Sequence, residues 1–325
     1  MRLCRFLLDD LTLIGFYMDD SVIAIDQAVE SAADTAGIDL MIGASEDLLD
    51  YLPPAGPVQE SVEKLWQWIG TLSSEERAEL STPIEEVQLL VPVANPPKLL
   101  LLAGNYPKHV EERGGTAAER EQTFPYVFMK PASTTLTNPG DPIVIPAISP
   151  DHIDWECELG VIIGGGGRNI PESEALEHVA GYTVINDISD RKFRPNPGRK
   201  PRPRDEHFDW LHGKWHDTFC PMGPCVLAAD PAIDPQSLHL KLSVNGQVKQ
   251  DASTAQMVFP VASIIAFLST FITLETGDII ATGTPSGVGS ARGEYLRPGD
   301  QVEATIAGIG TLANPVEAEA TETEE

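Results

Sequence analysis

Basic residues are scarce in this chain: 22 lysines and arginines face 49 aspartates and glutamates among 325 residues, a formal net charge of −27. Such an acidic surface repels phosphate backbones and anionic headgroups, which argues against nucleic acid and membranes as partners. Cysteine is also sparse. Cys4, Cys157, Cys220 and Cys225 form no CxxC pair and no disulfide-framework spacing, so they read as reduced thiols of a cytoplasmic protein. No apolar run approaches the roughly 18 to 20 residues of a membrane helix. Asp9 and Asp10 interrupt the N-terminal apolar stretch too early for a signal peptide. The hydrophobic content of 42% is that of a folded globular chain, long enough for one large domain and a smaller companion.

Residues 1–95 read as the smaller α+β unit. Leu11–Phe16 and Ser21–Ile25 flank Asp19-Asp20 as a hairpin, followed by helices over 28–36, 45–52 and 62–72. The proline-rich stretch 91–97 marks the boundary. Beyond it the pattern is mostly strands: 99–103, 126–130, 143–145, 155–163, 180–185, 238–244 and 279–282, with a turn at Asn245-Gly246 and a helix over 261–271. Helices are too few to alternate with strands, so residues 96–316 form a mixed α/β, β-rich fold rather than a doubly wound sheet. Within it, residues 192–207 form a basic, proline-rich insertion with four prolines and six lysines and arginines. The acidic tail, 317–325, reads as disordered.

Asp154-Trp155-Glu156-Cys157-Glu158 is the stretch that demands chemistry. On a strand, alternation turns Asp154, Glu156 and Glu158 to one face and Cys157 to the apolar packing behind them. Buried together, such carboxylates need a compensating charge, and Asp187, ending the next apolar run, brings a further oxygen. An all-oxygen set favours Mg²⁺, Mn²⁺ or Ca²⁺ over Zn²⁺. The other reading of this spacing is a solvated acidic strand face.

Further candidates are scattered. Pro107 suits a helix start, placing His109 and Glu112 three apart on one face, where a carboxylate orients an imidazole as a general base or forms a surface ion pair. Lys130, Arg191 and Lys214 lie where they could bind a substrate carboxylate or an oxyanion, or be surface cations. Gly277–Gly289 runs from a strand into a glycine-rich loop whose N–H groups can hold an anion, although it lacks a nucleotide fingerprint.

In order, GNYPKHVEE, FMKP, IDWECELGVIIG, VAGYTVINDIS, GKWHDTFCPMGP, VNGQVKQ, TLETGDIIATGTPSGVG and LRPGDQVEATIAGIGTL span residues 99–314 and resemble the fumarylacetoacetate hydrolase family. The resemblance implies a β-roll catalytic domain, a homodimer, and Mg²⁺ or Mn²⁺, with Ca²⁺ in some members. It places Glu156, Glu158 and Asp187 on the metal ligands. His109 and Glu112 fall on the water-activating pair of a lid. Lys130, Arg191, Lys214 and Thr284 fall on positions that hold substrate oxygens, Lys130 and Lys214 counting among the catalytic residues.

The implied substrate is a small 2-oxo or dicarbonyl acid. The reaction expected first is metal-dependent hydrolysis of a C–C bond in an acylpyruvate-like or 2,4-dioxo acid, through water activated by His109 and Glu112 and a metal-stabilised enolate. Decarboxylation of an oxaloacetate-like acid, isomerisation or hydration of an unsaturated 2-oxo dicarboxylate, and a non-catalytic role are the alternatives. Two departures bear on the substrate rim: Arg194 replaces the family's Gln, and Arg191-Lys192 its Arg-Asp pair. With the basic insertion, they suggest a cationic rim for a second carboxylate.

Overall fold

Two antiparallel strands, Cys157–Ile163 and Val179–Asn186, have every residue buried. The computed structural model, which describes residues 1–54, 56–117 and 120–320, places them mid-way in a large sheet. On one side the order runs through Cys220–Ala228, Arg2–Leu8, Leu11–Tyr17 and Ser21–Ala24; on the other through Ile279–Ala281, Leu99–Ala103 and the edge strand Tyr126–Met129. A second sheet orders Gln247–Ser253, His239–Val244, Gln301–Ile306, Gly310–Ala318 and Ile143–Ile145. The fold is mixed α/β and rich in sheet, as expected.

Strand alternation divides the core into two layers. Cys157, Leu159, Val161 and Ile163 point into the layer shared with the second sheet and the helix Val261–Phe271. Ile162 and Ile185 point the other way, into a layer closed by Val62, Leu65 and Ile69 of the helix Pro57–Thr71. Cys157 thus packs behind the acidic face, and the apolar stripe of the early helix is core.

Several elements differ from expectation. The N-terminal segment Arg2–Leu8 is a strand that pairs Arg2 with Leu227 and Leu3 with Val226, so the sheet runs unbroken across the boundary expected near residue 95. Asp9 and Asp10, with φ of 49° and 63°, form the turn after it. The helix expected over 45–52 is a single 3₁₀ turn, Leu48–Tyr51. In the tail, Glu317 and Ala318 belong to a strand beside Val144 and Ile145, and Glu319 accepts from Ala147 N at 2.6 Å. That part is ordered; Thr321–Glu325 lie outside the described residues.

Candidate active site

The conformation of the Asp154–Glu158 stretch is decided by its partners. Its main strand begins only at Cys157; Ile153-Asp154 pairs separately with Ser189-Asp190. Asp154 therefore leaves the acidic face. It accepts from Gly289 N at 2.7 Å, Ser290 N at 3.0 Å and Arg191 Nε at 2.7 Å. The neighbouring Trp155, fully buried, donates from Nε1 to Gly287 O at 3.1 Å. Together they clamp the glycine-rich loop. Gly287 has φ of +108°, and a Cβ there would meet Lys249 O at 2.1 Å, so the position requires glycine.

Glu156, Glu158 and Asp187 converge: one carboxylate oxygen of each lies within 4.8 Å of the others, and all three residues are buried. Lys214 Nζ donates to Glu156 at 2.6 Å and Asp187 at 2.5 Å, while Arg191 Nη2 donates to Glu156 at 2.5 Å. Burial opposes the charge on Glu156, but Arg191 and Lys214 outweigh it and hold this carboxyl well below its ordinary pKa. Glu158 behaves oppositely. Burial, then Asp187 and Glu156, push its pKa well up, although Gly283 N donates to it at 2.7 Å. Three carboxylates converge, and one of them lacks a cation. A hard divalent ion fits that all-oxygen donor set.

His109 lies on the short helix Pro107–Glu112, started by Pro107 as expected, and is 6% exposed. Its Nδ1 is 3.0 Å from Glu112 Oε1, while Glu112 Oε2 accepts from Gly287 N at 2.9 Å. Burial raises the Glu112 pKa, yet the hydrogen bonds from His109 and Gly287 bring it below its ordinary value. His109, Glu156, Glu158, Arg191, Lys214 and Thr284 line one pocket.

Two expected residues have their polar groups committed within the chain, Lys130 behind the pocket and Thr284 in its wall. Lys130 Nζ donates to Asp187 at 2.5 Å and to the carbonyls of Ile188 and Phe219 at 3.0 and 2.5 Å, so its three donors are committed within the chain. Thr284 Oγ1 donates to Cys157 O at 3.0 Å and accepts from Gln250 Nε2 at 2.8 Å. The glycine-rich loop does hold anions, but they are the chain's own Glu112, Asp154 and Glu158.

The basic insertion does not form the expected cationic rim. Arg199 pairs with Asp205 at 3.1 Å and Asp209 at 2.5 Å, Arg202 pairs with Asp205 at 3.0 Å, and none of the basic residues of 192–207 lines the pocket. Asp205 and Asp209 start and extend a helix, Asp205–His212, whose Trp210 reaches the pocket wall. The sequence reading missed three participants. Asn186 Oδ1 accepts from Glu156 N at 3.0 Å, Gln250 bridges Cys157 N and Thr284, and Arg113 lines the pocket beside His109. Arg113 directly follows Glu112, which was the available signal.

A buried acidic triad facing an imidazole–carboxylate pair at the edge of a sheet-rich roll defines a class of small-molecule enzyme. The family model for the C-terminal domain of fumarylacetoacetate (FAA) hydrolase matches residues 98–317. The chain belongs to this family and is an enzyme of its superfamily. It is 38% identical over 297 residues, 89% of this chain and 90% of the relative, to the Bos taurus protein named oxaloacetate tautomerase FAHD2A, mitochondrial. Among solved structures it is similar to a fumarylacetoacetate hydrolase of Exiguobacterium antarcticum, with TM-score 0.72, 30% identity, and 98% and 100% of the two chains covered. It is also similar to a 5-carboxymethyl-2-hydroxymuconate delta-isomerase of Mycobacterium smegmatis, with TM-score 0.67, 30% identity, and 99% and 100% covered. Among the described residues, no helix is long and apolar enough to cross a membrane.

Proposed function

We propose that this protein interconverts the enol and keto forms of a 2-oxo dicarboxylate of the oxaloacetate kind, with Mg²⁺ or Mn²⁺ as cofactor. The observation that carries the reading is the placement of His109, held by Glu112, in one pocket with Glu156 and Glu158. The name of the Bos taurus relative supports the substrate class.

Glu156, Glu158 and Asp187 would hold the ion, which supplies Lewis-acid stabilisation of negative charge on the 2-oxo oxygen. The chain supplies the proton chemistry. Glu112 takes the His109 Nδ1–H, leaving Nε2 free to remove a proton from C3 of the keto form, and the resulting enolate takes up a proton from water on its 2-oxygen. In the reverse direction Nε2 returns a proton to C3 as the enol hydroxyl gives its own to water. The Gly287 N–H holds Glu112 in place, so the imidazole keeps one tautomer and one direction. Arg191 anchors Glu156 while Lys130 anchors Asp187. Lys214 spans Glu156 and Asp187 and is the pocket cation best placed to turn to a substrate oxygen once those carboxylates are otherwise engaged.

Hydrolytic C–C cleavage of an acylpyruvate is the second reading, favoured by the name of the Exiguobacterium antarcticum neighbour. It would use His109 on water instead of on a C3 proton. Metal-stripped protein, and the same protein restored with Mg²⁺ or Mn²⁺, separate the two. Metal-dependent loss of the enol absorbance of oxaloacetate, with no new acid product by NMR, supports the tautomerase. Pyruvate and a second acid released from acetylpyruvate, with oxaloacetate untouched, replaces it by the hydrolase.

The homodimer belongs to the same proposal. An apolar groove of about 920 Å³, lined by Phe124, Tyr126, Trp215 and Phe267, adjoins the pocket through Phe128 and Trp210. It lies along the edge strand Tyr126–Met129, the face we assign to a second copy. A monomer by sedimentation velocity at micromolar concentration would refute it. All four cysteines are free and buried, which suits a reducing compartment such as the cytoplasm.

A further inference from the structure

Four basic side chains line the pocket: His109, Arg113, Arg191 and Lys214. Three of them are committed. His109 is paired with Glu112, Arg191 with Asp154 and Glu156, and Lys214 with Glu156 and Asp187. Among the described residues, the guanidinium of Arg113 has no hydrogen bond and no ion pair, and Arg113 lines the pocket while the residue as a whole is exposed to solvent. Partial burial, then the nearby Arg191, both disfavour its charge and lower its pKa from the ordinary value. A guanidinium nevertheless stays charged near neutral pH. An anion that entered the pocket would offset both penalties and meet a planar, two-pronged donor with no competing partner among the described residues.

Position decides which anion. Arg113 caps the helix Pro107–Glu112, one residue beyond Glu112, whereas the carboxylate triad lies at one end of the paired strands Cys157–Ile163 and Val179–Asn186. A substrate with its 2-oxo end at the triad and its C3 beneath His109 would bring its far end to the helix side of the pocket.

We propose that Arg113 recognises the second, distal carboxylate of a 2-oxo dicarboxylate and so sets the preference for dicarboxylate over monocarboxylate substrates. The inference rests on the proposed function and specifies its substrate. Arg113, not the basic insertion, then provides the cation expected from the sequence for a second carboxylate.

The test compares the Mn²⁺-loaded wild-type chain with Arg113→Leu and Arg113→Lys. The substrates are oxaloacetate and phenylpyruvate, a 2-oxo monocarboxylate with the same C3 chemistry. Loss of one charge-assisted contact corresponds to a factor of about 10 to 100. The preference in kcat/KM for oxaloacetate over phenylpyruvate should fall by about that factor in Arg113→Leu, mainly through KM, with partial recovery in Arg113→Lys. A preference equal to that of wild type, in a variant with unchanged melting temperature, overturns the proposal. Calorimetric titration with oxaloacetate keeps this result separate from the proposed function. Tighter binding by wild type than by Arg113→Leu without turnover retains Arg113 and removes the tautomerase reading. Turnover with equal binding by both proteins does the reverse, and no binding by either removes both.

Discussion

Lys214 and Arg199 each pair with two carboxylates, at distances of 2.5–2.6 Å and 2.5–3.1 Å, yet the two regions behave differently. Around Lys214 the partners Glu156 and Asp187 are buried, and the low local dielectric makes every charge depend on its neighbour. Burial opposes the Lys214 charge, but Asp187 and Glu156 outweigh that and raise its pKa above the ordinary lysine value. Arg199 meets its partners near the surface, where water and salt screen the pair. The bond lengths alone do not distinguish them. The Arg199 pairs tie the helix Asp205–His212 to the loop before it.

The contrast can be broken or sharpened by substitution. The largest effect is expected for His109→Ala, which should lower turnover by about 10²- to 10⁴-fold while Mn²⁺ affinity, measured calorimetrically, is retained. A loss below tenfold would remove the imidazole from proton transfer. Asp154→Ala leaves the buried Arg191 with a single carboxylate and frees the Gly289 and Ser290 N–H groups. It should cost about 3–5 kcal/mol in urea unfolding. A cost near zero would mean that the loop clamp carries no stability. Glu158→Gln should weaken Mn²⁺ binding by more than about 100-fold, beyond the usual cost of changing a neighbour of a ligand. Unchanged binding would exclude Glu158 from the metal site.

Glu112 gives the pH test. Its pKa in the fold is depressed, so the stability it contributes is complete above the ordinary carboxyl value and is lost as pH falls through the depressed one. Denaturation of wild type from pH 6 down to pH 3 should show that acid loss, and Glu112→Gln should flatten it. An identical slope in both proteins would contradict the assignment. The smallest effect is expected at the surface pair. Arg199→Ala should leave kcat/KM unchanged, and a clear fall would mean that the basic insertion reaches the substrate after all.

Local periodicity made most of the catalytic half legible. The strand Leu99–Ala103 and the helix Val261–Phe271 have the expected bounds because apolar runs and flanking prolines specify them locally. The strands Gln301–Ile306, Gly310–Ala318 and Arg2–Leu8 were not read; the first two pair with each other, Arg2–Leu8 pairs with Leu11–Tyr17, and all three also take partners far away in the chain that local periodicity does not show. At the site, Glu156, Glu158 and Asp187 were found from spacing and family resemblance, and the structure brings them together. Asp154 has the same period and was grouped with them, yet it turns away to the N–H groups of residues 289 and 290. Strand alternation holds only while the strand continues, and this one begins at Cys157.

By itself, then, the sequence determined the sheet-rich class, the acidic triad, the His109–Glu112 pair and the order of the segments that carry them. These follow from side-chain chemistry repeated at short range. Tertiary structure alone decided which charges are spent. Lys130 became committed behind the pocket and Thr284 in its wall, Arg199 and Arg202 of the basic insertion were paired with its own helix, and Arg113 was left lining the pocket without a hydrogen bond or ion pair to its guanidinium among the described residues. The physical reason is that a charge is defined by what lies within a few ångströms of it, and in a folded chain those neighbours are set by packing and seldom by position in sequence.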